Sequence, residues 1–243
     1  MAAFPAREAS MSSVSLQQLS KHYRLGSVDV PALSGIDLDI RPERFTVLSG
    51  PSGSGKTTLL NLIGCIDRPD SGTLTVAGVN VLALKDDALA DFRARHIGFI
   101  FQNFNLIPVL TAFENIEYPL QLTGVAAAER KRRVNELLAA VGLADRAKNL
   151  PGQLSGGQRQ RVAIARALAT NPALVMADEP TANLDSHTGA AILELMRNLQ
   201  RERRMSFVFS SHDPNVLAMA DDAVFIRDGR ITATEQRTPE PAA

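Results

Sequence analysis

Gly50-Pro51-Ser52-Gly53-Ser54-Gly55-Lys56-Thr57 decides how this chain is read. The stretch fits G-x-x-x-x-G-K-[ST], the P-loop pattern, in which a glycine-rich turn cradles phosphate oxygens. Its flanks supply the context that the pattern needs. Phe45-Thr46-Val47-Leu48 before it is a short apolar run of buried-strand type. Thr58-Leu59-Leu60-Asn61-Leu62-Ile63 after it reads as the first turns of a helix. Glycines at 50, 53 and 55 let the backbone turn tightly, so several N–H groups point at one anion. The helix N-terminus adds the positive end of its dipole. Lys56 is placed to reach the β- and γ-phosphates of a nucleotide, and the Thr57 hydroxyl to ligate Mg²⁺.

Composition narrows the function classes. The chain has 243 residues, 45% of them hydrophobic, enough for one large domain or two small ones. Lys+Arg and Asp+Glu number 26 each, which disfavours a protein whose main task is gripping nucleic acid. Cys65 is the single cysteine, so no intrachain disulfide forms, which suits a reducing compartment. No apolar run approaches the roughly 18 residues that suggest a membrane span. Residues 1–12 lack a signal peptide's apolar stretch and read as a disordered leader, with Met11 an alternative start. The tail from Thr234, with Pro239 and Pro241, also reads as disordered, leaving 236–243 outside a domain of 13–235. There is no internal repeat, hence one P-loop per chain.

Residues 13–19 and 36–40 alternate as strands. Tyr23 lies between them. An aromatic ring just upstream of a P-loop either stacks on an adenine face or is a half-buried edge aromatic, and both readings are open. Strands are expected at 73–76 and 79–81, a polar surface helix at 85–95, and a buried strand at 97–101 that stops at Gln102. The loop 103–110 is unusually apolar: Phe104, Leu106, Ile107, Val109 and Leu110 divide between packing under helices and exposure to a partner. Thr111 and Glu114 form a capping box for a helix through Leu122. A second helix spans about 126–141 and stops at Gly142; its run of Glu129 and residues 130–133 reads as a solvated face. Residues 102–165 carry helical periodicity only and form a candidate helical subdomain.

Leu154-Ser155-Gly156-Gly157-Gln158 is a second anion cradle: Ser155 caps a helix over 158–169, and two glycines expose N–H groups at its start. The bland alternative is a plain helix-start turn. Residues 173–177 form an apolar strand that delivers Asp178 and Glu179 at its carboxyl end, where ligands sit in open α/β sheets. The first carboxylate suits Mg²⁺ and the second a general base; a solvated turn is the other reading of the pair taken alone. Asp185 is a candidate cap for a helix at 186–202. A strand at 206–210 ends at Ser211-His212-Asp213, and His212, unlike His22, His96 and His187, follows an apolar strand. A hairpin at 224–231 closes the pattern.

In this order, these motifs resemble the nucleotide-binding subunit of an ABC transporter over roughly residues 14–233. The resemblance makes 50–57 the P-loop, Gln102 the Q-loop glutamine and 154–158 the signature. Asp178 and Glu179 become the Walker B end with its catalytic glutamate, Asp185 the D-loop aspartate and His212 the switch histidine. Tyr23 takes the place of the adenine-stacking aromatic, and Thr58 joins the nucleotide contacts. The implied fold class is α/β: a P-loop NTPase (RecA-like) core with an antiparallel β subdomain and an α-helical signature subdomain. Phe101-Gln102-Asn103-Phe104-Asn105-Leu106-Ile107-Pro108 and Asp178-Glu179-Pro180-Thr181-Ala182-Asn183-Leu184-Asp185 resemble the branch that serves lipoprotein release and macrolide export. Ala182 and Ser211 replace that branch's frequent Gly and Thr, and leave the substrate open.

The resemblance also explains the second cradle. In such families two subunits meet head to tail, so Ser155, Gly156 and Gly157 contact the γ-phosphate in trans. The implied activity is ATP hydrolysis with Mg²⁺. Glu179 is the implied base, Lys56 neutralises charge, His212 positions the γ-phosphate, and Gln102 touches metal and water. The implied partners are a second copy and an FtsX-like permease, one short helix of which docks beside 103–110. The chain is then peripheral at the cytoplasmic face of the inner membrane. ABC ATPases of DNA repair carry long coiled-coil or zinc-bearing insertions, and translation-associated ones carry two cassettes; neither pattern is present. An FtsE-like cell-division ATPase, acting on a related membrane partner without moving cargo, is the alternative that the residues do not separate.

Overall fold

A computed structural model describes residues 13–237. The expected leader, 1–12, and residues 238–243 of the expected tail lie outside them. In chain order the first half holds β1 (Val14–Leu25), β2 (Val28–Ile40), β3 (Phe45–Ser49), α1 (Lys56–Ile63), β4 (Ser71–Val76), β5 (Val79–Asn80), α2 (Asp86–His96) and β6 (Ile97–Ile100). There follow α3 (Ala112–Leu122), α4 (Ala127–Ala140), α5 (Gly156–Leu168), β7 (Leu174–Asp178), α6 (Ser186–Arg203), β8 (Ser206–Ser210), α7 (Pro214–Ala218), β9 (Asp222–Arg227) and β10 (Arg230–Gln236).

Six strands form one sheet in the order β10-β9-β3-β8-β7-β6. All neighbours are parallel except β10, which closes the edge antiparallel to β9. These strands are short and apolar because both faces are covered. Alternation sends Phe45 and Val47 to one side, with Phe207 and Phe209, and Leu48 and Val208 to the other. The Phe45 and Phe209 rings stack with centroids 4.0 Å apart. The first side is packed by α3, α4, α5 and α6, the second by α1 and an antiparallel sheet of order β2-β1-β4-β5. This is the α/β cassette that the sequence implies, with helices gathered between β6 and β7.

Several elements differ from expectation, each for a local reason. The strand expected over 13–19 continues to Leu25 and takes in Tyr23. The register shifts between Leu16 and Leu19, and Gln18 adopts φ 48°, so the bulge breaks the alternation there. Likewise β2 begins at Val28, well before residue 36. The tail is ordered further than expected: Gln236 pairs with Asp222, and the Arg237 N–H donates to the Asp221 carbonyl at 2.8 Å. The signature helix begins at Gly156 rather than Gln158. The short α7 was not foreseen; Asp213 caps it by accepting from the Asn215 N–H at 2.8 Å.

The capping box of Thr111 and Glu114 is present as read. In the apolar loop Phe104 is buried and Leu106 packs on the core, whereas Val109 is 79% exposed. Parallel strands place their carboxyl ends on one edge. The loop after β3 is the P-loop, β8 ends before Ser211, β7 delivers Asp178 and Glu179, and Gln102 follows β6. The strand order therefore brings four separate segments into line.

Candidate functional site

Gly50 has no room for a side chain: a Cβ there would lie 2.1 Å from the Ile226 carbonyl oxygen. Gly55, the N-cap of α1, holds φ 102° and makes no side-chain capping bond. The backbone N–H groups at this helix start are thus left for something other than a cap. Lys56 is buried and its Nζ donates to the Gly50 and Pro51 carbonyls at 2.8 and 2.9 Å. Ser54 is buried with its hydroxyl unpartnered among the described residues. Pro51, Ser52 and Gly53 form an exposed rim. An unpaired buried hydroxyl, open amides and an ammonium on one turn fit a polyphosphate.

Asp178 and Glu179 are not a solvated turn. Asp178 is partly buried, and burial pushes its carboxyl up from 3.8, with the Glu179 charge adding to that and the nearby Ser210 and Thr57 hydroxyls opposing it. Thr57 Oγ1 lies 3.4 Å from Asp178 Oδ1. Glu179 adopts φ 43°, a left-handed conformation that costs a β-carbon-bearing residue about 1–2 kcal/mol. Its N–H donates to the Ser210 carbonyl at 2.9 Å, which anchors the turn to β8. Its carboxylate meets His212 Nδ1 at 2.7 Å and accepts from the Ser211 hydroxyl at 3.2 Å.

A hydroxyl and a carboxylate side by side at a phosphate cradle are the oxygen donors that Mg²⁺ uses when substrate phosphates and water complete its shell. No cluster of three metal-ligating acidic, His or Cys side chains occurs among the described residues. Gln102, the third expected ligand, is exposed, and its carbonyl accepts from Asn183 Nδ2 at 3.0 Å. Its side chain makes no hydrogen bond among the described residues.

Tyr23 stands 37% exposed on β1. Its hydroxyl donates to Asp67 at 2.9 Å, and the Lys21 ammonium sits 5.2 Å from its ring centroid. Thr58, on α1, is close enough to Tyr23 to bond its hydroxyl. The ring is therefore beside the P-loop helix rather than lost on a distant edge.

The second cradle is organised otherwise. Ser155 Oγ accepts from the Gln158 N–H at 3.2 Å while Gln158 Oε1 accepts from the Ser155 N–H at 2.9 Å. A Cβ on Gly157 would meet Thr188 Cγ2 at 2.6 Å, so this helix start packs against the start of α6. Asp185 caps α6 through the Thr188 N–H at 2.9 Å, and that bond holds its carboxyl below the usual range. No hydrogen bond among the described residues joins 155–158 to 50–57.

Sequence reasoning missed four contributors. Asn183 ties Gln102 and Asn103 to the segment before Asp185. Ser211 was noted only as a departure, yet it touches Glu179. Asp67 fixes Tyr23, and no local signal marks it. Arg166 donates to the Asn105 and Phe104 carbonyls at 2.5 and 2.8 Å. A basic residue on the otherwise apolar stretch 162–168 was the clue for Arg166.

A family profile described as ABC transporter matches residues 33–182. An uncharacterized ABC transporter ATP-binding protein of Bacillus subtilis, YvrO, is 48% identical over 92% of this chain and 97% of its own length. The macrolide export ATP-binding/permease protein MacB of Syntrophobacter fumaroxidans is 48% identical over 91% of this chain, which is 31% of that longer protein. Among solved structures, the ATP-binding cassette MJ0796, in a dimeric post-hydrolysis state bound to ADP and Pi, superposes with a TM-score of 0.85 at 42% identity. That match covers 93% of this chain and all of the other.

Proposed function

This chain belongs to the ABC transporter family as an ATP-binding, ATP-hydrolysing subunit, and on that premise we propose that it works as a head-to-tail pair driving an export permease. One observation carries the reading. The chain assembles Lys56, Thr57, Asp178, Glu179 and His212 along one sheet edge, while its other anion cradle, at 155–158, makes no bond to them. A lone copy holds two unlike parts, and a second copy brings the missing part to each. The dimeric MJ0796 cassette supports this arrangement.

In the proposed cycle adenine stacks on Tyr23, and the amides of 50–58 hold the phosphates. Lys56 trades its two carbonyl partners for phosphate oxygens. Ser155, Gly156, Gly157 and Gln158 of the second copy close over the γ-phosphate, with Asp185 bordering the junction. Glu179 takes a proton from water as the water oxygen bonds to the γ-phosphorus and the bond to the β-phosphate oxygen breaks, releasing ADP and phosphate. His212 and Ser211 hold the Glu179 carboxylate, and His212 also positions the γ-phosphate. When bound, Mg²⁺ supplies charge neutralisation at the β- and γ-phosphates. Thr57, Asp178 and Gln102 are the groups that would hold it.

We assign the permease contact to the helical zone, 102–165. Phe104 is buried and Leu106 is packed on the core, so the docking surface shifts to the exposed Val109, Tyr118 and Leu122. No helix among the described residues is long and apolar enough to cross a membrane. The proposed membrane contact is through the permease, at the cytoplasmic face. The MacB-type relative, named a macrolide export ATP-binding/permease protein, supports an export permease as the partner; lipoprotein release and an FtsX-like partner rest on the motif resemblance alone.

Glu179→Gln tests the mechanism. The variant is expected to bind ATP, to hydrolyse it at least about tenfold more slowly, and to elute as a nucleotide-locked pair on gel filtration. Unchanged turnover removes Glu179 as base; a monomer that retains ATP overturns the pairing.

A further inference from the structure

We propose that Arg166 is a positioning residue for Gln102: it braces the Phe104–Asn105 turn and so fixes where Gln102 stands relative to the reacting phosphate. The proposal rests on the reading of Gln102 as the residue that contacts metal and water.

Gln102 has no side-chain hydrogen bond of its own among the described residues, so its place is set by its backbone. That backbone runs at once into an improbable turn. Phe104 and Asn105 both adopt left-handed conformations, φ 62° and 47°, without being glycine. Such pairs persist only where surrounding groups over-determine them. Here the surroundings are explicit. The two successive carbonyls converge on one guanidinium, Asn105 on Nη1 at 2.5 Å and Phe104 on Nη2 at 2.8 Å. The fork geometry of arginine suits two acceptors in this way, and lysine does not supply it. Arg159, about two turns earlier on the same face of α5, lies over the Phe104 ring at 5.1 Å.

The simpler account of Arg166 is a basic residue in the last turn of α5 that offsets the helix dipole. Its contacts speak against that. Its donors leave the helix for a loop some 60 positions earlier in the chain. It has no carboxylate partner among the described residues, although burial pulls its pKa below the ordinary value. A partly buried guanidinium satisfied by loop carbonyls alone is there for the loop. The same helix carries the signature at its start, with Ser155 as its N-cap, so a displacement of the signature is handed through Arg166 to Gln102. Asn183 grips the other side of the same turn.

The test is a double-mutant cycle on the full chain, reading kcat and KM for ATP. Arg166→Met is expected to lower kcat about tenfold, since small misplacements of a site group cost that much or more, with KM within about twofold. In the Gln102→Ala background Arg166→Met should cost nothing more. Asn105→Gly, which takes the left-handed conformation unaided, should restore kcat to the Arg166→Met chain. Should that chain fail to fold, Arg166→Lys enters the same cycle. If Gln102→Ala slows turnover but the two losses multiply, or if Arg166→Met is fully active, the brace is overturned while Gln102 keeps its role. If Gln102→Ala is itself fully active, the reading of Gln102 falls and the brace with it.

Discussion

The two helix starts that we propose as phosphate cradles in this chain are built on opposite plans. At α1 the N-cap is a left-handed glycine with no capping side chain, and the buried Ser54 hydroxyl beside it has no partner among the described residues. At α5 the N-cap is Ser155, locked in a reciprocal box with Gln158, and the turn is packed on Thr188. The first is incomplete until an anion arrives. The second is complete as a helix end and adds its glycine amides to whatever is brought against it. Stability therefore resides in the signature and receptivity in the P-loop, which is the division expected if only the first must bind nucleotide unaided.

The largest effect should separate the two outright. Lys56→Ala is expected to weaken ATP binding by a single chain more than about 100-fold, through loss of a charge-assisted phosphate contact. Ser155→Asp should leave that binding unchanged, because Asp caps helices as well as Ser, yet slow hydrolysis about tenfold or more by setting a carboxylate against the γ-phosphate in trans. Nucleotide titration and phosphate release read the two quantities. Equal loss of binding in both variants would erase the distinction between the cradles.

A middling effect probes packing. Gly157→Ala drives a methyl into Thr188 and should cost about 1–2 kcal/mol in urea unfolding, recovered when Thr188→Ser removes the opposing methyl. A neutral Gly157→Ala would mean that the signature start is as open as the P-loop. The smallest effect concerns charge. Burial raises the folded pKa of Asp178, so its ionisation opposes folding: that stability is whole below 3.8 and is lost as pH rises through the raised value. Asp178→Asn should thus raise the melting temperature of the nucleotide-free chain at pH 7 by about 1–3 °C, with the gap closing below pH 3.8. A lower melting temperature at pH 7 would show that Asp178 is stabilised by its neighbours instead.

Much of this was legible in the sequence because it is local. A strand, a glycine turn and a helix in succession announce 50–57, and the capping residues Thr111, Ser155 and Asp185 stand where their helices begin. What stayed hidden depends on contacts across the fold. Tyr23 escaped the strand pattern because a bulge at Gln18 shifts the alternation. Phe104 looked available to a partner, yet left-handed backbone turns it inward beneath Arg159. The link from Ser211 to Glu179 and the reach of Arg166 to 104 and 105 join segments far apart in the chain, which periodicity does not register.

The parallel sheet acts as a wall between two compartments that share no side chains. On one side lie Tyr23 and its strands, proposed to meet the base of a nucleotide; on the other lie the helices, proposed to meet a membrane protein. Either compartment is free to drift in sequence with its own visitor, provided that the border of strand ends between them keeps its alignment.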